Sequence, residues 1–201
     1  MTDLFKDKAA DWDSRPTPAQ ISDGVSRAIL ERVALSPALT VMDFGAGTGL
    51  IAGKLAPHVG RILAVDISQA MLDQLAGKPE LAGKVEVFCQ DILHAPLDRR
   101  VDLVVSAMAM HHVKDTRALF RALFAHLAPG GRIALADLDT EKGDFHAPGT
   151  EGVFHAGFDR GELLALLREV GFVEPAIATA CEVTKEDRRY SIFLATAAKP
   201  A

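Results

Sequence analysis

From about Thr17 onward the sequence switches repeatedly between helical and strand-like periods, with no repeat, low-complexity tract or Gly/Ser linker between them. Such alternation belongs to a parallel sheet with helices on both faces. The first helix is expected from Thr17 to about Leu35. Thr17 can cap it, Pro18 suits its first position and Gln20 completes a capping box; Ile21, Val25, Ala28, Ile29 and Val33 form the apolar face, with Ser26, Arg27 and Glu31 outward. Strands are expected at Leu39 to Phe44, Arg61 to Val65, Val85 to Cys89, Val101 to Ser106 and Arg132 to Ala136. Between them fall a short helix from Leu50 to Ala56 ended by Pro57, a Ser68-capped helix through Ala76, and a helix from Asp115 stopped by Pro129-Gly130-Gly131. Asp159 with Glu162 caps a last helix ending near Val170-Gly171. Val173 to Val183 and Arg189 to Ala197 then read as an antiparallel closing hairpin. The fold class is therefore α/β: a Rossmann-like three-layer sandwich, its mostly parallel sheet closed by two antiparallel strands.

The 201 residues fit one domain with a sizeable core. No apolar run approaches the roughly 18 residues of a membrane span. The first ten residues carry Asp3, Lys6, Asp7 and Lys8, unlike a secretory signal, so a cytoplasmic location is expected. Cys89 and Cys181 lie far apart without Cys-x-x-Cys spacing, which argues against a disulfide framework or thiolate metal site; both are expected to be buried as small apolar groups. A formal net charge of −5, with no strong basic cluster, gives no general attraction to phosphate backbones and argues against nucleic acid as substrate.

The strongest chemical signal is Val41-Met42-Asp43-Phe44-Gly45-Ala46-Gly47-Thr48-Gly49, an apolar strand leading into a glycine turn at a helix start. Ligands bind at that edge of such sheets. Glycine supplies backbone angles that other residues resist, and lets a ligand lie against the main chain. About twenty residues on, Asp66 ends the next strand, where a carboxylate can accept both hydroxyls of an adenosine ribose. That spacing also suits nicotinamide cofactors. The dinucleotide fingerprint, however, wants a third glycine where Leu50 stands, and Asp43 would repel phosphates while suiting an ammonium group. Asp91, in Cys89-Gln90-Asp91-Ile92, closes the third strand and could accept from the exocyclic amine of adenine. Taken singly, each carboxylate could be a helix cap or loop group; together they fit one adenosyl amino acid.

With these residues in place the chain resembles the class I S-adenosylmethionine-dependent methyltransferases, nearest to the quinone-biosynthesis-like group often labelled type 11, over nearly its whole length. The resemblance implies S-adenosylmethionine as cofactor, with Asp43, Gly45, Ala46, Gly47, Thr48 and Gly49 holding its methionine part and Asp66 its ribose. It places Asp91 with Ile92 at the adenine, and Ser106-Ala107-Met108 beside the methyl-bearing sulfur. Ile67, Met71 and Gln90 complete the expected cofactor-binding set. A small-molecule methyl acceptor is expected, on a monomer or homodimer. The Asn-Pro-Pro-aromatic motif associated with amino groups of planar bases is absent, Ser106-Ala107-Met108-Ala109 standing in its place. A nicotinamide oxidoreductase and a non-catalytic S-adenosylmethionine-binding module are the alternatives, since fold alone does not decide chemistry.

The segment from Asp137 to Phe158 is rich in Gly, His and Asp without periodicity, and long for a connection, which reads as an active-site loop. His111 and His112 follow the fourth strand at the ligand edge, while His146 and His155 lie in that loop. Histidine is the natural base near neutral pH, and His112, His146 and His111 are the candidates. His58, His94 and His126 read as surface or packing residues. These imidazoles with Asp137, Asp139 and Asp144 could in principle ligate a metal, but no pair has a diagnostic spacing, so none is assigned. Near the N-terminus, residues 1 to 16 read as a lid segment: Phe5, Ala9 and Trp12 share a helical face, and Trp12-Asp13 resembles a segment that folds over the cofactor in related enzymes.

Overall fold

The computed structural model describes residues 3 to 201. A 3-10 helix, Lys6–Ser14, leads into α1 (Pro16–Arg32), β1 (Thr40–Phe44), α2 (Leu50–Leu55), β2 (Arg61–Asp66), α3 (Gln69–Ala76) and β3 (Val85–Cys89). Then follow β4 (Val101–Ala107), α4 (Thr116–His126), β5 (Leu127–Leu138), α5 (Arg160–Val170), β6 (Val173–Lys185) and β7 (Arg188–Ala198). The seven strands form one sheet in the order β3-β2-β1-β4-β5-β7-β6. β1 to β5 pair in parallel, and β7 lies antiparallel to both β5 and β6. The chain reverses direction across the sheet between β1 and β4, so the crevice at their carboxyl ends is the ligand position this topology provides.

Each face of the sheet is sealed by its own apolar cluster. Ile29, Leu55 and Leu75 of α1 to α3 pack over Val41, Ile62 and Leu103 on one face; Leu119, Phe120 and Leu123 of α4 and Leu167 of α5 pack over Met42, Val104 and Phe193 on the other. The alternation of Val41 and Met42 between faces is the strand period at work. Ser68, Asp115 and Asp159 cap α3, α4 and α5 by accepting the N–H groups of Met71, Ala118 and Glu162. The β6–β7 hairpin turns on Glu186 and Asp187, both left-handed with φ of 50° and 61°.

Four sequence expectations need correction. α1 starts at Pro16, not Thr17, and its cap is Arg15 without a side-chain bond: proline holds the preceding residue extended, at φ −77° and ψ 129°, and so sets the boundary itself. Ser26 is buried rather than outward: it lies about 200° around the helix from Gly24, whose side packs on Cys181 of β6, so α1 is covered on more than one side. The Ser26 hydroxyl donates back to the Ser22 carbonyl, so burial leaves it satisfied. Cys89 is exposed at the end of edge strand β3, and Cys181 is only half-buried. Finally, β5 spans Leu127 to Leu138, taking in Pro129-Gly130-Gly131 rather than following it and running on past Ala136, so the irregular loop starts at Asp139, which bridges to Phe158.

Candidate active site

β1 carries Asp43 into the crevice one residue before its end. The glycine turn follows at once, pinned to β2 by the N–H groups of Gly45 and Ala46, which donate to the Val65 carbonyl at 2.8 and 3.1 Å. Gly45, Gly47 and Gly49 are all left-handed, with φ of 68°, 54° and 83°. Their roles differ. A side chain at Gly45 would strike Ala109, and one at Gly49 would strike Leu75, so both are required for close packing. Gly47 has open space where its side chain would be, which leaves bare backbone for a ligand to approach.

Two carboxylates define the chemistry of this turn. Asp66 Oδ2 accepts the Gly47 N–H at 2.8 Å, and Oδ1 accepts the Ser68 N–H at 2.9 Å. Each oxygen retains a lone pair for a further donor such as a hydroxyl. Asp43 is 1% exposed, and its Oδ2 has no hydrogen-bond partner among the described residues. Burial, then the nearby charge of Asp66, push its pKa up to about 7, against a backbone N–H from Ala52. Burial likewise raises Asp66, opposed by the N–H groups of Ser68, Gly47 and Ile67. An unpaired buried carboxylate oxygen costs free energy until a donor meets it, and a cationic group would meet it best.

The remaining expected cofactor residues surround this pair unequally. Ala46, Thr48, Met71 and Ile92 are buried, Gly45, Gly47, Gln90 and Ala107 are half-buried, and Ile67 is exposed. Asp91 is already engaged: Oδ1 accepts the Leu93 N–H at 2.9 Å and Oδ2 pairs with exposed His94 at 2.7 Å. The N-terminal segment is fastened across the crevice at two points. Thr48 donates its hydroxyl to Asp13, and Ser68 donates its hydroxyl to Asp3 at 2.9 Å. Trp12-Asp13 marked this segment in the sequence; nothing there singled out Asp3.

On the β4 side, His111, His112 and His146 converge. His111 is buried, and its Nδ1 lies 2.7 Å from Oδ1 of buried Asp137, whose Oδ2 accepts the His111 backbone N–H. His112 Nδ1 donates to the Gly152 carbonyl at 2.7 Å, and its ring meets Phe5 edge-on at 5.2 Å. His146 Nε2 lies 3.1 Å from His111 Nε2. Burial, then the neighbouring His111 ring, lower both His112 and His146 to about 4, so both are neutral at pH 7 with a lone pair on one nitrogen. His155 is apart from the group, bonded to the Val113 carbonyl, and His126 is a buried packing residue that accepts the Leu97 N–H.

Comparison with known proteins fits this geometry. A family description, "Methyltransferase domain", matches residues 41 to 131, from β1 into β5. An uncharacterized methyltransferase of Schizosaccharomyces pombe is 33% identical over 147 residues, covering 65% of this chain and 52% of that protein. The matched stretch holds the glycine turn, Asp66 and Asp91, and over it the chain is similar to methyltransferases. Among solved structures, the methyltransferase in complex with the Trm112 activator of Haloferax volcanii matches this chain over 100% of both chains, with a TM-score of 0.81 at 18% identity. The N-methyltransferase NodS of Bradyrhizobium japonicum, in complex with S-adenosyl-L-homocysteine, matches 99% of this chain and 95% of its own, with a TM-score of 0.72 at 20% identity. These two share its fold. The chain spans between about a half and two thirds of the length of the first curated relatives it matches. Among the described residues, no helix is long and apolar enough to cross a membrane.

Proposed function

We propose that this chain transfers the methyl group of S-adenosylmethionine to a small-molecule acceptor. The observation that carries this reading is the unpaired, buried Oδ2 of Asp43 beside the bare backbone of Gly47. An amino acid ammonium supplies the donor that Asp43 lacks, and the adjacent backbone leaves room for the methionine chain. Asp66 then takes the ribose hydroxyls on its two free lone pairs, with Ile67 and Met71 alongside. Gln90, Asp91 and Ile92 flank the adenine, Asp91 exchanging His94 for the exocyclic amine. Ala107 and Met108, at the end of β4, border the sulfur.

Methyl transfer is an in-line displacement: the acceptor's lone pair forms a bond to the methyl carbon as the sulfur–carbon bond breaks toward sulfur, giving S-adenosylhomocysteine. The protein's contribution is to align the acceptor, exclude water and receive a proton where the acceptor carries one. His111, His112 and His146 form the polar wall on the β4 side, and neutral imidazoles there can bind or deprotonate a hydroxyl, thiol or amine. Asp3, Phe5 and Asp13 hold the N-terminal segment over the crevice, and the loop 139 to 158 closes the other side. This supports a sheltered small-molecule pocket rather than a polymer groove.

The test is mass spectrometry of nucleosides released by denaturing the purified protein. S-adenosylmethionine or S-adenosylhomocysteine, retained or taken up on incubation, is the expected result. Uptake of NAD in their place would refute the reading.

A further inference from the structure

The geometry points to a divalent transition-metal site of the zinc class formed by His111, His112 and His146. One ring nitrogen of each lies within 4.8 Å of those of the other two. The hydrogen bonds fix which nitrogens are available. A carbonyl can only accept, so His112 carries its proton on Nδ1, bonded to Gly152, and presents Nε2 as a lone pair. His111 sets its Nδ1 2.7 Å from Asp137, whose oxygens also accept the backbone N–H groups of His111 and Leu138, so a neutral His111 ring holds its proton there and offers Nε2 to an ion.

This pattern is the one metal-binding histidines show: the far ring nitrogen held by a carboxylate or a backbone carbonyl, the near one left to ligate. The 3.1 Å between the Nε2 atoms of His111 and His146 lies close to the about 3.3 Å that separates two ligands of a tetrahedral ion with 2.0–2.1 Å bonds. Closing the other gaps asks for movements of roughly 1.5 Å or less from loop-borne side chains. Three imidazoles suit zinc, cobalt, nickel or copper rather than magnesium or calcium, which prefer oxygen. His146 also borders a cleft with Glu141 and Phe154.

Three protein ligands leave a fourth position for water or for an oxygen or sulfur atom of an incoming molecule. With the ion in place the imidazoles are its ligands, and ionising an acceptor falls to the metal. The site needs no cofactor to form, so it stands independently of the methyl-transfer reading.

The experiment is titration of the chelator-stripped full chain with CoCl2, followed by visible absorption, with competition by ZnCl2. The expected result is saturation at about one equivalent with the absorption of a low-coordinate cobalt centre, displaced by zinc. His146→Ala, on the half-buried loop side chain, should retain the wild-type circular dichroism and lose that spectrum. Asp137→Asn, if it folds, should bind about 10–100-fold more weakly. Wild-type protein that shows no saturable cobalt spectrum, or a folded His146→Ala variant that binds as well as wild type, would overturn the site. S-adenosylhomocysteine calorimetry on the same stripped protein separates this outcome from failure of the cofactor assignment.

Discussion

Asp66 Oδ2 accepts the Gly47 N–H at 2.8 Å, so the carboxylate proposed to hold the ribose also shapes the glycine turn proposed to receive the methionine chain. The two halves of the cofactor pocket are mechanically one unit. Asp66→Ala removes the acceptor for two hydroxyls and loosens the turn. A lost charged hydrogen bond is worth about 1.5–3 kcal/mol, so the loss of even one of the two should weaken S-adenosylmethionine binding roughly 10- to 150-fold by calorimetry. Unchanged affinity would remove Asp66 from the site.

Asp43 sets a pH dependence whose sign follows from its raised pKa. The unfolded chain loses this proton near 3.8, whereas the folded, ligand-free protein keeps it to about 7. Between those values the folded state binds the extra proton, so this group's contribution to stability is full below pH 3.8 and is lost as pH rises through about 7. A ligand ammonium needs the carboxylate ionised, so affinity for S-adenosylmethionine should increase as pH rises toward 7 and level off above it. Calorimetry in buffers of different ionisation enthalpy should show proton release at pH 6 that vanishes by pH 8; a flat profile would contradict the assignment.

On the acceptor side, His112→Ala and His146→Ala should lower kcat by about 100-fold or more with S-adenosylmethionine affinity nearly intact. Because both imidazoles are held near pKa 4 by burial and the His111 ring, they should give kcat at saturating S-adenosylmethionine no inflection near 6.5, the ordinary histidine value. Turnover equal to wild type in both variants would remove these imidazoles from the reaction.

Gly24 offers a test of the packing that sets α1 on the sheet. Alanine favours a helix by about 1 kcal/mol over glycine, but its Cβ would collide with Cβ and Sγ of Cys181. Overpacking of this kind costs about 1–3 kcal/mol, so Gly24→Ala should lower the urea midpoint despite the gain in propensity, and Cys181→Gly should relieve that loss. A variant more stable than wild type would mean that α1 and β6 can separate freely.

Much of this fold was legible because its signals are local. Strand and helix periods, the Ser68, Asp115 and Asp159 caps and the polar turn before β7 each lie within a few residues of sequence. The Asp43 to Gly49 motif and its spacing to Asp66 were equally readable, since one strand-turn-helix-strand unit contains them. What stayed hidden depends on contacts between distant segments. Ser26 is buried because α1 is covered on more than one side, and Gly24 on another side meets Cys181 of β6, some 150 residues on, where the closing hairpin docks. Asp3 reaches Ser68 across 65 positions, and His146 reaches His111 across 35. A search for ligand spacing within one element could not find that last pair, because one histidine sits after β4 and the other in the loop beyond β5.

The central claim is that the buried, unpartnered carboxylate of Asp43 is completed by the ammonium of S-adenosylmethionine. It is tested most directly by calorimetry of S-adenosylmethionine at pH 8 with wild type and Asp43→Asn, each checked for native fold by circular dichroism. The expected result is one saturable site in wild type and an affinity at least roughly tenfold lower in the variant, since the amide keeps the shape but not the charge. Equal affinity in the two proteins, or no binding to wild type, would contradict it.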